Sequence, residues 1–287
     1  MTVPFENDTG NIVRKLARKS LKSEKRRNLM VVIAVALASC LICFSIVMAL
    51  STRQIEKNHV EDTYEAVYTR ITEEDVSTLK GLDDFSRVGE YYMLAVEPTE
   101  QGYNASYIYC DEETMYIARD QMKLLEGRLP QKEDEVVVSR YFLSNYGADA
   151  GIGEKVMLSS ESFHGEYTVT GIMEGYKEKE VNGSSILLSK EALKGWSGYD
   201  PADYRAYVHF KNEQQMDETE LTARSREIAK EYQLEMPIMN LSYMKFYKQP
   251  VNVSMLALVA GIAVLVIIGG YVVIQSSFRI SINDKIQ

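Results

Sequence analysis

Two long apolar runs bracket a polar middle in this chain. Leu29 to Leu50, LMVVIAVALASCLICFSIVMAL, holds 22 residues without a charge. As a helix it is about 33 Å long at ~1.5 Å per residue, against a hydrocarbon core of ~30 Å. Val251 to Phe278 holds 28 uncharged residues, with its apolar centre from Met255 to Ile274. Both are long enough to span a bilayer. The expected fold class is therefore membrane α-helical, with two transmembrane helices at 29–50 and 251–278 and residues 51–250 inserted between them.

The insert alternates strand and helix patterns, which predicts an α+β domain. Ser51 to Glu65 lacks Gly and Pro and continues the first helix outward as a stalk. Glu65 to Ile71 alternates like a strand, and Thr72-Glu-Glu-Asp-Val starts a helix with a Thr cap and acids in its first turn. Strands follow at Phe85 to Val96 and Ser106 to Cys110, with a helical stretch around Glu113 to Leu125. Then Leu125-Glu-Gly-Arg-Leu-Pro130 leads into a strand, Glu135 to Ser139, and a short helix, Arg140 to Tyr146. Gly151-Ile-Gly-Glu-Lys-Val-Met-Leu158 and Glu166 to Ile172 complete a run of short β-branched segments between Gly and Pro turns. That run predicts a β-rich subdomain over about 100–184. Ser185 to Ser189 and Tyr204 to Phe210 add strands around a short helix at Lys190 to Gly195. Met216 to Tyr232 is amphipathic, with Leu221, Ile228 and Ala229 facing inward. Leu241 to Gln249 returns toward the second apolar run.

Charge sets the orientation. Residues 1–28 carry eight Lys and Arg against three acids, while residues 51–250 carry 22 basic and 37 acidic residues. Basic residues flanking a membrane helix stay on the cytoplasmic side. The basic segment 1–28, with Ile12, Leu16, Ala17 and Leu21 on one stripe, is thus expected to lie on the inner surface against membrane lipid. Two crossings place both termini inside and residues 51–250 outside, with 279–287 a cytoplasmic stub. An acidic outer domain excludes nucleic acid as a partner. Leu37-Ala38-Ser39-Cys40 matches a lipoprotein cleavage box, but the apolar run continues ten residues past Cys40, so an uncleaved helix is the better reading.

Candidate chemistry is sparse. No phosphate-binding loop occurs, so the chain is expected to bind no cofactor itself. His59, His164 and His209 stand far apart with no second ligand at metal spacing, so no metal site is expected. The acid clusters Glu73-Glu74-Asp75 and Glu133-Asp134-Glu135 fall at helix starts and turns, and no nucleophile elbow surrounds Ser139 or Ser189. The chain does not read as an enzyme. Small residues four apart in the apolar runs (Ala34 and Ala38, Ser45 and Ala49, Ala257 and Gly261), with Gly269 and Gly270 as a flex point, suit helices that pack against partners. Of the 19 tyrosines, 18 lie in residues 51–250. They suit either a binding face or simple alternation into strands.

Three stretches resemble FtsX-like and MacB-like ABC transporter permeases. They are the basic start with the first span (Arg14-Lys-Leu-Ala-Arg-Lys-Ser-Leu, Lys25-Arg-Arg-Asn-Leu-Met-Val-Val-Ile), the outer motifs and the segment Phe278-Arg-Ile-Ser-Ile-Asn-Asp-Lys-Ile. The outer motifs are Gly127-Arg-Leu-Pro130, Glu135-Val-Val-Val-Ser, Gly153-Glu-Lys-Val and Tyr167-Thr-Val-Thr-Gly171-Ile. The resemblance implies a bacterial cytoplasmic-membrane permease subunit whose ATP is handled by a separate cytoplasmic ABC ATPase, with a second permease copy or homologue as partner. It implies that the outer domain exports, extracts or senses peptides or lipoproteins. Phe278, Arg279, Ile280, Asp284 and Lys285 would begin the segment that couples to the ATPase. Such permeases carry further spans, so the chain reads as the N-terminal portion of one. A two-span sensor with an outer ligand-binding domain shares the layout and is the alternative.

Overall fold

The computed structural model describes residues 25–100, 102–119, 121–146, 150–175, 178–248, 257, 260–272 and 275. The chain divides into two compact units, one of residues 1–55 with 250–287 and one of Glu56–Gln249.

In the first unit, helix α1 begins at Lys25 and runs to Val60, its last turn from Glu56 belonging to the second unit. Among the described residues it is the one helix long and apolar enough to cross a membrane. Leu37, Leu41, Phe44 and Val47 are all at least 60% exposed, which an aqueous surface would not tolerate over so long a stretch. Its polar side chains are satisfied on the helix itself: Ser39 Oγ donates to Val35 O at 2.9 Å and Ser45 Oγ to Leu41 O at 2.8 Å. Within the second expected span the described residues include an apolar helix, Ala260–Val272. A Cβ placed at Gly261, Gly269 or Gly270 meets no described atom within 4 Å. The inner-surface segment before Lys25 and the coupling residues Phe278, Arg279, Ile280, Asp284 and Lys285 lie outside the described residues.

The second unit is built on one mixed sheet. Its elements are β1 (Ala66–Ile71), α2 (Glu73–Lys80), β2 (Phe85–Pro98), β3 (Asn104–Cys110), α3 (Glu112–Ile117), β4 (Met122–Gly127) and β5 (Glu135–Ser139). There follow α4 (Arg140–Tyr146), β6 (Lys155–Ser159), β7 (His164–Gly175), α5 (Glu178–Val181), β8 (Gly183–Leu188) and α6 (Lys190–Gly195). Last come β9 (Tyr204–Phe210), α7 (Glu218–Glu231), β10 (Ile238–Met239) and α8 (Leu241–Tyr243). Among the described residues the strand order is β10-β1-β9-β2-β3-β8-β5-β7-β4, with β6 also on β7. Pairing is antiparallel except β3 with β8 and β5 with β7. The strands within 100–184 continue the rest of the sheet, since β8 joins β3 on one side to β5 on the other.

Period-two alternation sends each strand's apolar residues to both faces. Ala66, Tyr68, Tyr92, Val136, Val138, Ala206 and Val208 meet one core, which Leu79 of α2, Phe142 of α4, Leu193 of α6 and Leu221 and Ile228 of α7 cover. Val67, Tyr91, Ile108, Val137, Leu187 and Tyr207 meet the other, beneath Met115 and Ile117 of α3. Helices therefore cover both faces, which is why β5 is buried at every position. The tyrosines go largely to this core: Tyr68, Tyr92, Tyr107, Tyr204 and Tyr243 are fully buried, and Tyr68 donates to Ser225 O at 2.9 Å, tying α7 down.

Caps explain the helix starts. Thr72 and Asp75 form the capping box of α2, as its sequence indicates. Two expectations need correction. The helix expected over Glu113 to Leu125 stops at Ile117, because the backbone from Met122 pairs with Gly175 to Gly171 of β7. The stalk ends at Val60 rather than Glu65, because Asp62 takes a left-handed φ of 54° that no helix continues through.

Candidate functional site

The chain enters and leaves the second unit at one corner. The incoming segment Glu61 to Glu65 feeds β1, and the outgoing β10 pairs beside it, Ala66 against Met239 and Val67 against Ile238. Asn240 fastens the two. Its amide donates to Glu65 O at 2.8 Å, its Nδ2 donates to Tyr64 O at 3.0 Å, and its Oδ1 accepts from the amides of Ser242 and Tyr243 at 3.1 Å. A single buried side chain thus bonds the entry strand and caps the exit helix.

A polar cluster sits at this corner. Glu65 is fully buried; its carboxylate accepts from His209 Nδ1 at 2.8 Å and from the Phe210 amide at 2.7 Å. Glu213 and Lys248 are buried side by side, with Nζ 3.9 Å from Oε2 and Lys248 also donating to Glu213 O. Asp62 Oδ2 faces Arg119 at 3.9 Å. Burial pushes the Glu65 carboxyl up. Burial draws His209 down, but the carboxylates of Glu65, Glu213 and Asp62 more than offset it, so the imidazole is raised overall. Glu213 is raised by burial, and Lys248 is lowered by it. Glu213 Oε2 and Tyr243 Oη are buried and receive no hydrogen bond. A polar hollow of about 410 Å³ lined by Lys57, Gln214, Gln215, Tyr247 and Lys248 lies alongside.

The sequence singled out a different set, Gly127, Pro130, Glu135, Gly153 and Gly171. The structure gathers it at the far part of the sheet. Gly127 of β4 faces Gly171 of β7. A Cβ on Gly127 would stand 2.2 Å from Thr170 O, and one on Gly171 2.9 Å from the carbonyls of Glu126 and Arg128, so both must be small. Glu135 closes the loop that contains Pro130. Its two oxygens take Arg128 Nη1 and Nη2 at 2.8 Å each, and Oε2 also accepts the amides of Gln131 and Lys132. The guanidinium and those amides hold the Glu135 pKa down to about 2. Gly153, at φ 90°, donates its amide to Val169 O at 2.8 Å beside the same strand. These bonds tie the turns around β4, β5 and β7 together. Next to them an open groove of about 420 Å³ runs between α3 and β4, lined by Met115, Tyr116, Arg119, Leu124, Gly127 and Leu129. Tyr116 is 45% exposed, with the Arg87 guanidinium 4.1 Å from its ring centre and that of Arg119 at 5.4 Å.

The corner cluster escapes a reading by spacing, because Asp62 and Glu65 lie far along the chain from His209 and Glu213. The sequence carries only the acids Glu61, Asp62 and Glu65 before one strand and the His209–Glu213 spacing at the end of another.

Residues 29–226 match the family model described as the MacB-like periplasmic core domain. No curated protein matches. Among solved structures, the extracellular domain of the noncanonic ABC-type transporter YknZ from Gram-positive bacteria is similar at 15% identity and a TM-score of 0.44, over 62% of this chain and 100% of that one. A domain of a permease protein from Porphyromonas gingivalis is similar at 15% identity and 0.44, over 68% and 96%. The periplasmic region of MacB from Actinobacillus actinomycetemcomitans is similar at 10% identity and 0.46, over 64% and 91%.

Proposed function

Because this chain belongs to the family of the MacB-like periplasmic core domain, we propose that it works as a permease subunit of an ABC-type transporter whose outer domain is moved from its entry and exit corner. The observation that carries this reading is the pairing of β1 with β10 and the Asn240 bonds across them. Any displacement of the chain before Glu65 is carried to the chain after Met239 through direct hydrogen bonds, and into β9, which pairs along β1. A rigid sheet fed at one corner suits a lever better than a carrier pore.

In this reading α1 and the segment 251–278 both cross the bacterial cytoplasmic membrane, with residues 51–250 outside. A cytoplasmic ATPase supplies the motion, and a second permease copy or homologue completes the assembly. The charge asymmetry of the flanks supports the topology. Peptides or lipoproteins are the cargo class the reading favours, and the groove between α3 and β4 offers an apolar floor with arginines at its rim. The test is affinity purification of the chain from its native membranes in mild detergent. An ATPase carrying a phosphate-binding loop should co-purify in stoichiometric amount. Recovery of the folded chain with no ATPase at any detergent condition would overturn the proposal.

A further inference from the structure

One ring nitrogen of His209 and one carboxylate oxygen from each of Asp62 and Glu213 lie within 4.8 Å of one another. Nδ1 of His209 is engaged by Glu65 at 2.8 Å, which leaves Nε2 as the ligand. That arrangement, a carboxylate holding the far side of an imidazole, is the one that fixes tautomer and ring orientation at metal centres. A second observation is independent of the cluster's charge. Glu213, 4% exposed, has its Oε2 without a hydrogen-bond donor, and so has the buried Tyr243 hydroxyl, which lies close enough to feel the charges of Glu65, Glu213 and Asp62. A buried carboxylate oxygen left without a donor calls for an ion or a water. Lys248 Nζ, at 3.9 Å, stands beyond hydrogen-bond reach of Oε2.

We propose that Asp62, His209 and Glu213 form a binding site for a divalent transition-metal cation of the zinc kind. One imidazole and two carboxylates suit such an ion, with water completing a four-coordinate shell. Bonds of about 2.1 Å require ligand atoms roughly 3.4 Å apart, so the site closes around the ion. Asp62, whose side chain is 52% exposed, is the ligand free to move in. The bound ion would join the segment before β1 to the end of β9 and the segment after it, stiffening the corner where the chain enters. The site stands whether or not the transporter reading holds, since it needs no ATPase.

The experiment uses the untagged 287-residue chain in detergent, stripped with a chelator and titrated calorimetrically with zinc sulfate. Zinc content is read by elemental mass spectrometry after desalting. One zinc per chain should bind, and saturating zinc should raise the thermal midpoint as ligand linkage requires. D62N and E213Q should each weaken binding at least tenfold. D62N alters an exposed side chain, so it keeps the test alive if E213Q misfolds. Calcium at equal concentration should fail to displace the zinc, because the imidazole disfavours it. The proposal is overturned by substoichiometric uptake, by wild-type affinity in folded D62N, or by displacement with calcium.

Discussion

The Nδ2 of Asn240 donates to the carbonyl of Tyr64 at 3.0 Å across 176 residues of sequence. Asn240 is 7% exposed, and its Oδ1 simultaneously caps α8. Asn240→Ala removes a buried donor and a cap together. Tyr64 O then loses this bond, and the Ser242 and Tyr243 amides lose their acceptor. A loss of about 2–3 kcal/mol is expected. Asn240→Ser keeps a capping oxygen without adding a charge and loses the donor to Tyr64 O, so it should cost less. Denaturant unfolding of the purified chain and its two variants measures the order. Equal stability of Asn240→Ala and wild type would show that the corner is not fastened here.

Gly127 and Gly153 both take positive φ, 82° and 90°, but only Gly127 is also crowded. A left-handed backbone costs a non-glycine residue roughly 1–2 kcal/mol. Gly153→Ala adds a methyl where nothing lies within 4 Å, so that backbone term should be its whole effect. Gly127→Ala adds the same term and drives a methyl to 2.2 Å from Thr170 O, prising β4 from β7. It should destabilise by several kcal/mol or prevent folding. Parallel thermal melts of the two variants check the contrast, and similar losses would refute it.

Much of the second unit was legible because its signals are local. The Thr72 cap, the run Glu135 to Ser139, the helices Arg140 to Tyr146 and Lys190 to Gly195, and the inward set Leu221, Ile228 and Ala229 are all set by residues within a turn or two of one another. What could not be read was long-range. Met122 to Gly127 looks helical beside Glu113, yet its backbone bonds to β7 some fifty residues on. Nothing in the sequence announces that β8 joins β3 to β5, because its pairing with β3 is parallel and its antiparallel pairing with β5 links strands far apart in sequence, so neither leaves a tight turn. The corner cluster is hidden for the same reason: Asp62, Glu65 and His209 become neighbours only once β9 has paired with β1.

The Glu135–Arg128 pair gives a pH signature. Burial opposes its charge slightly, but the guanidinium and two amides dominate, so the folded pKa is about 2 against an ordinary value near 4.5. A carboxyl lowered on folding stabilises fully above its unfolded pKa and loses that contribution as pH falls toward the folded value. The stability advantage of wild type over Glu135→Gln should therefore be constant above about pH 5 and shrink between about pH 4.5 and 2. Thermal midpoints of both proteins across that window decide it. An advantage that stays flat throughout would mean the pair contributes packing rather than charge.

Three cysteines report on the apolar helix and the domain together. Cys40 and Cys43 lie on α1 with exposed side chains, whereas Cys110 is buried at 3% exposure in the second core. Burial also pushes the Cys110 thiol up, away from the reactive thiolate. If α1 crosses a bilayer, its two thiols are shielded by lipid, and Cys110 is shielded by the fold. A charged maleimide added to reconstituted vesicles at neutral pH should therefore label none of the three, and all three after denaturation in detergent. In water, exposed α1 thiols would react within minutes, so labelling of Cys40 or Cys43 in intact vesicles would place that part of the helix outside the membrane. Labelling confined to Cys110 would instead show that the core beneath α3 opens, where its sulfur lies 3.9 Å from Met122 Sδ. Mass spectrometry of the intact chain counts the adducts directly.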